Sequence, residues 1–231
     1  MQLVVLLILL IFTISTMRRT ARLTQAGLLQ AANRRYRRAA WTLGLTIWLA
    51  MGVQEAALLV SGKLGWHTGL PLHLCSLMGV LSLPMLLTRR PLLMNAALYA
   101  GVPGAVLALL FPAVLDTRWP LATTLAFHTL HAGLVCAPLL PMGMGWRPAA
   151  RGALHAGIVV LAAGLTALAV NPLTGGNYLF LAGPVAGTPL TWLARGSIHL
   201  YRLRLTGLAA LVLALEAAAV RGANRIGQKR P

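Results

Sequence analysis

The chain has 231 residues, of which 58% are hydrophobic and only 10% are charged. Soluble domains carry about 25% charged residues, so this composition excludes an ordinary water-soluble domain and favours an all-α membrane protein. The 20 Lys and Arg residues outnumber the 3 Asp and Glu residues, which gives a formal net charge of +17. Most cations fall in the short connections between apolar runs, a pattern typical of membrane-protein loops rather than of nucleic-acid binders. We therefore expect contact with membrane lipid and no nucleic-acid partner.

The first apolar run covers residues 2–17 and is followed at once by Arg18 and Arg19. A signal peptide carries its positive charges before the apolar core and a small-residue cleavage site after it. We therefore expect an uncleaved N-terminal anchor, although the run is short for a full span. The arginine-rich residues 18–38 predict a basic cytoplasmic loop that rests on anionic lipid.

Six further transmembrane helices are predicted at residues 39–61, 68–88, 91–113, 120–141, 149–170 and 199–220. Glycine and proline at 101–104 predict a kink in the fourth helix of the chain. Breakers such as Asn171-Pro172 and Gly183-Pro184 predict an ordered or re-entrant outer loop at 171–198. The expected fold is a bundle of about seven transmembrane helices, with the membrane domain at 39–220 and a basic cytoplasmic tail at 221–231.

The distribution of cations predicts the orientation of this bundle. If the N-terminus lies outside, most Lys and Arg residues fall on the cytoplasmic side, as the positive-inside rule requires. The remaining cations are Lys63, Arg118, Arg195, Arg202 and Arg204. The sequence therefore predicts a multi-pass protein of the cell membrane with its N-terminus outside and its C-terminus in the cytoplasm.

Polar residues of several predicted helices gather in the outer half of the membrane, and intramembrane polar groups usually mark function. They are Glu55, His73, Cys75, Thr124, His128 and His131, with Asn177 and Tyr178 in the adjoining loop. Thr124, His128 and His131 share one face of a helix. The inner half offers only His155 and Glu216. We interpret the outer group as the lining of one outward-facing polar pocket.

Four segments resemble the YwaF-like family of bacterial integral membrane proteins. Leu70-Pro71-Leu72-His73-Leu74-Cys75 is similar to that family's "PLHLC" signature, and Gln54-Glu55 fits late in helix two. His131-Ala132-Gly133 with Ala137-Pro138-Leu139 resembles its "HG…AP" helix, and Gly176 to Leu181 resembles its "TNY-F-L" loop. The resemblance covers roughly residues 40 to 215. The loop departs from the family at Gly176, where a threonine usually precedes the asparagine.

Eukaryotic relatives of that family include a transmembrane acyltransferase acting on ether phospholipids through a Cys–His pair. The resemblance therefore implies that Cys75 is the nucleophile and His131 the base. A neighbouring imidazole can take the thiol proton, a thioester can hold the acyl chain, and Asn177 or a backbone N–H can stabilise the oxyanion.

Three classes of function remain open at this stage. The first is a lipid acyltransferase or acyl hydrolase, and the second is a non-catalytic lipid- or ligand-binding protein or small transporter. The third, a metal or haem protein, is disfavoured because intramembrane zinc hydrolases need carboxylates and Asp116 is the only aspartate. His128 and His131 on one helix cannot clamp the two faces of a haem. We therefore expect no cofactor and no metal.

Overall fold

The computed structural model describes residues 2–228, and within them it is helical with no β-strand. The α-helices are α1 (Gln2–Gln25), α2 (Leu29–Val60), α3 (Leu74–Thr88), α4 (Pro91–Ala96), α5 (Val102–Leu110), α6 (Pro120–Cys136), α7 (Gly152–Thr174) and α8 (Ile198–Gln228). A π-helical turn, Ala97–Gly101, joins α4 to α5, and a 3₁₀-helix, Ala137–Met144, continues α6. Six of the resulting helical stretches are long and apolar enough to cross a membrane, and α3 is shorter. The prediction of an all-α transmembrane bundle is confirmed.

The first two helices extend through the segment that the sequence predicted to be a basic loop. α1 runs to Gln25 and α2 begins at Leu29, so only the turn around Gly27 is non-helical. Arginine is a good helix former, and its long side chain reaches water from a helical backbone. The 24 residues of α1 span about 36 Å, which is longer than the bilayer core and corrects the expectation of a short first run.

Helix α3 begins later than predicted, at Leu74 instead of residue 68. Gly65, Gly69 and Pro71 lie in the skipped segment, where glycine and proline favour turns over helix. The 15 residues of α3 span only about 22 Å. Its C-terminal end is followed by Arg89-Arg90, which favour the membrane surface. The other end of α3 therefore lies about 8 Å short of the opposite surface of a 30 Å bilayer core.

The irregularity predicted near residues 101–104 takes the form of the π-helical turn. Pro103 has no backbone N–H, so the carbonyl of Tyr99, four residues earlier, loses its usual α-helical partner. A π-turn inserts one residue and re-registers the hydrogen bonds. The predicted outer loop also differs in its start, because α7 continues past Asn171-Pro172 to Thr174 and the chain then forms two short 3₁₀-helices, Tyr178–Phe180 and Pro189–Leu193.

Helix α2 lies at the centre of the bundle and packs closely at small residues. A Cβ atom on Gly44 would lie 2.6 Å from the Cδ1 atom of Leu83 in α3, and one on Gly133 in α6 would lie 2.6 Å from Cγ1 of Ile47. The indole N–H of Trp48 donates to the carbonyl of Gly79 in α3 at 3.1 Å. These contacts fix α3 and α6 against the same helix.

The two ends of the bundle differ in charge. We call one the arginine-rich end; it holds the α1–α2 turn, the α3–α4 connection, residues 145–151 and the C-terminal part of α8. The other, the loop end, holds residues 61–73, 111–119 and 175–197. Helix α8 continues to Gln228, so residues 221–228 of the predicted tail are helical, while Lys229 and Arg230 lie outside the described residues.

Candidate functional site

Cys75 occupies the second position of α3, directly after the N-cap residue His73 and Leu74. It is partly buried, and its Sγ atom lies 3.8 Å from the position that a Cβ atom on Gly104 would take in α5. The first turn of a helix presents unpaired backbone N–H groups and a partial positive charge. At about 22 Å, α3 is shorter than a bilayer core of about 30 Å, so we expect this helix end to lie below the membrane surface at the loop end.

A small cavity lies deeper in the bundle, between α3, the π-turn and the C-terminal part of α6. It measures about 10 Å³, room for about one water molecule, and its lining includes Met78 of α3, Gly101 of the π-turn and Leu134 of α6. Residues three apart share a helix face. Cys75 lies one turn from Met78, and His131 lies one turn from Leu134, both toward the loop end. Gly104, whose Cβ position lies 3.8 Å from the Cys75 sulfur, follows Gly101 in the same direction.

His131 is 5% exposed, and its ring is fixed by two contacts within α6. Its Nδ1 atom lies 2.7 Å from the carbonyl oxygen of Phe127, and the two rings are 4.2 Å apart. A carbonyl only accepts hydrogen bonds, so Nδ1 must carry the proton and donate. The neutral imidazole then keeps a lone pair on Nε2, which makes Nε2 the basic atom.

His128 is buried in the same way one turn earlier. Its Nδ1 atom lies 2.7 Å from the carbonyl oxygen of Thr124, and its ring meets Phe127 edge-on at 5.5 Å. Thr124 itself donates its hydroxyl to the carbonyl of Pro120 at 2.7 Å. The three predicted residues of this face thus all lie on α6, and the Thr124 hydroxyl is hydrogen-bonded to a carbonyl of the same helix.

The loop after α7 lies over the start of α3. The ring of His73 lies 5.2 Å from the ring of Tyr178 and 5.3 Å from that of Phe180. The Tyr178 hydroxyl donates to the carbonyl of Trp66 at 2.7 Å and accepts from the N–H of Leu70 at 3.1 Å. His73 Nδ1 is buried without a hydrogen-bond partner among the described residues. His73 and Tyr178 therefore line one aromatic cap two residues before Cys75.

Asn177 stabilises this loop with its whole side chain. Its Nδ2 atom donates to the carbonyl of Gly183 at 2.9 Å, and its Oδ1 atom accepts from the N–H groups of Ala182 and Gly183. The predicted role of Asn177 as an oxyanion donor thus competes with a hydrogen bond already made. Backbone N–H groups in the first turn of α3 are the better placed donors.

Glu55 is partly buried near the C-terminal end of α2, and its Oε2 atom lies 3.5 Å from the Cβ position of Gly69 in the 61–73 loop. A second cavity, of about 180 Å³, opens at the loop end and is lined by residues that include Gly183, Ser197 and Tyr201. Neither cavity is lined by Cys75, His131 or Glu55. The predicted single outward-facing pocket thus stays a prediction: its residues lie in the half of the bundle nearer the loop end, but neither cavity joins them.

The residues that sequence reasoning missed are Gly104 and Phe127. Gly104 of α5 faces Leu74 and Cys75 of α3, and Phe127 orients the His131 ring. In the sequence, the only signal for Gly104 was its place in a predicted kink, and Phe127 was indistinguishable from the other apolar residues of its helix. Among the described residues, no group of three or more His, Cys, Asp and Glu side chains is arranged to hold a metal ion.

Fold and site together define a multipass helical membrane protein with a cysteine in the first turn of the short helix α3 and two histidines on the neighbouring helix α6. The family model of the TMEM164 family matches residues 1–215, and the chain belongs to that family. Comparison with curated proteins and with solved structures found no match.

Proposed function

We propose that this protein transfers acyl chains between membrane lipids through Cys75 and His131. The observation that supports the proposal is one cavity lined by both Met78 and Leu134, which lie one helical turn from Cys75 and His131, respectively, in the direction of the arginine-rich end. Support also comes from the tautomer of His131, whose Nε2 lone pair can accept the thiol proton.

The proposed reaction has two steps. His131 Nε2 takes the proton of the Cys75 thiol while sulfur attacks the carbonyl carbon of a glycerophospholipid ester. The ester C–O bond breaks, and the imidazolium returns the proton to the departing alcohol, which leaves a lysophospholipid and a Cys75 thioester. A second alcohol then gives its proton to His131 and attacks the thioester, which transfers the acyl chain and restores the thiol.

Two features of the site suit these steps. Apolar side chains surround Cys75, so a free thiolate is disfavoured there and proton removal must accompany attack. Backbone N–H groups of the first turn of α3 support the developing oxyanion. If water replaces the second alcohol, the same site hydrolyses the ester. Ether phospholipids as acyl acceptors follow from the family resemblance alone.

The test uses the full-length protein reconstituted in lipid, with mass spectrometry of intact Cys-containing peptides. We expect an acyl adduct on Cys75 and loss of acyl transfer in Cys75→Ala. Cys136→Ala is the matched control because Cys136 is the other cysteine of the chain and lies buried at the C-terminal end of α6. His131→Gln should lower the transfer rate about 10²–10⁴-fold while the protein still binds lipid. Unchanged transfer in Cys75→Ala would reject the proposal and favour a non-catalytic lipid- or ligand-binding protein or a small transporter.

A further inference from the structure

Arg35 has an unusual environment at the arginine-rich end. It lies on α2 between Ala32 and Ala39, which are 0% and 5% exposed and share its helix face. Its Nε atom is inaccessible to solvent and has no hydrogen-bond partner among the described residues. The neighbouring Arg34 and Arg37 are exposed. Only Arg35 of these three carries a guanidinium nitrogen into the packed helices.

None of the three acidic residues, all of which the structure describes, forms a salt bridge with Arg35. Glu55 lies beside the 61–73 loop, and Asp116 pairs with Lys63 at 2.8 Å, both at the loop end. Glu216 lies near Tyr99 on the α4–α5 stretch. The Lys63–Asp116 pair is the one salt bridge within the described part of the chain. Within the described residues, no carboxylate therefore pairs with Arg35, and a partly buried charge without a partner is costly.

A second partly buried arginine lies close by. Arg89 caps α3 in the left-handed conformation, with φ 52°, and its guanidinium lies 5.2 Å from the ring centre of Tyr36, the residue after Arg35. Tyr36 is anchored by its hydroxyl, which donates to the carbonyl of Leu86 at 2.5 Å. Tyr36 thus holds the guanidinium of Arg89 against α2, one residue along the chain from Arg35, at the arginine-rich end of α2 and α3.

We propose that this end of the bundle binds the phosphate of an anionic phospholipid, with Arg35 and Arg89 as its cationic ligands. A guanidinium presents its N–H groups in a fork that matches phosphate oxygens. The position at the ends of two transmembrane helices, among apolar side chains, fits a lipid phosphate with its acyl chains alongside the bundle. The site lies at the opposite end of the molecule from Cys75, so this proposal does not depend on the proposed acyl transfer.

The experiment measures binding of phosphatidic acid to the full-length protein in phosphatidylcholine nanodiscs by native mass spectrometry. Arg35→Gln and Arg37→Gln form a matched pair, because each removes one charge from α2 and only Arg35 is partly buried. We expect Arg35→Gln to weaken binding more than about tenfold, the range for a charge-assisted hydrogen bond. Arg37→Gln should weaken it by about fivefold or less, as for a general surface attraction. Arg89→Gln should resemble Arg35→Gln.

Equal losses in Arg35→Gln and Arg37→Gln would overturn the proposal in favour of a diffuse basic surface. Unchanged binding in Arg35→Gln would overturn it as well. If Arg35→Gln does not fold, Arg35→Lys keeps the charge without the fork and should still bind more weakly than the wild type. Glycerol 3-phosphate offers the same phosphate without acyl chains; if it competes with the lipid at equal concentration, the site takes a soluble phosphate and the lipid assignment is wrong.

Discussion

At the scale of single residues, Asn171 fixes the start of the loop that follows α7, residues 175–183, which we call the loop cap. Its Oδ1 atom accepts from the N–H of Tyr178 at 2.8 Å, and its Nδ2 atom donates to the carbonyl of the same residue at 3.1 Å. Asn171 is 7% exposed and Tyr178 is fully buried. Asn171→Ala leaves two buried backbone groups unpaired, so we expect a loss of about 1–3 kcal/mol in the free energy of unfolding, measured by thermal unfolding in detergent.

The control for Asn171 is Thr166→Ala on the same helix. Thr166 donates its hydroxyl to the carbonyl of Ala162 within α7, at an exposed position. That bond only supplements a carbonyl of its own helix, so its loss should change the free energy of unfolding by less than about 0.5 kcal/mol. Similar losses in both variants would contradict a specific role of Asn171 in the loop cap.

Asp116 gives the loop end a dependence on pH. The side-chain hydrogen bond from Lys63, and then its charge, lower the pKa of Asp116. A carboxyl group with a lowered pKa stabilises the folded state above its unfolded pKa of about 3.9, and that contribution disappears as the pH falls through the lowered value. We expect protease sensitivity of the 111–119 loop to rise below about pH 4. Lys63→Gln removes the pair at every pH, so the loop should already be more sensitive to protease at neutral pH, and the further rise below about pH 4 should disappear. An unchanged profile in this variant would exclude the pair as its cause.

At the scale of helices, two glycines of α2 should respond oppositely to substitution by alanine. A Cβ atom on Gly44 would lie 3.2 Å from the backbone Cα atom of Leu83, so α3 must shift, whereas Gly52 has no atom within 4 Å. We expect Gly44→Ala to destabilise the protein by about 1–3 kcal/mol. Gly52→Ala should stabilise it by about 0.5–1 kcal/mol through helix propensity. Thermal unfolding of both variants measures these changes. Equal effects would show that α2 and α3 do not pack closely at Gly44.

At the scale of the whole molecule, the structure groups the connections by end, and the charge distribution predicts which side of the membrane each end faces. Single cysteines at positions 27 and 147, in a background without Cys75 and Cys136, should react with an impermeant reagent from the cytoplasmic side. Cysteines at 63, 118 and 187 should react from outside. The structure requires positions 63 and 118 to share a side, because Lys63 pairs with Asp116. Labelling of 63 and 118 from opposite sides would reject both fold and topology.

The sequence alone determined the class of the fold and the number of main helices. Apolar runs of about 20 residues can be satisfied in a membrane only as helices, and this constraint is local enough to be read along the chain. The same reasoning placed His128 and His131 on one face of α6, because helical spacing fixes relative direction within one element. Helix ends were less predictable, since the arginines of 18–38 accept either a loop or a helix.

The tertiary structure alone decided what meets across helices. The packing of Gly104 in α5 against Leu74 and Cys75 in α3 is a contact between two helices. Occupation of Asn177 by its own loop and burial of the Arg35 Nε atom depend equally on folding. Such contacts join residues far apart in the chain, and packing of whole helices sets their distances. Periodicity in the sequence gives the direction of a side chain within its helix, but the partner it reaches is fixed only when the helices pack.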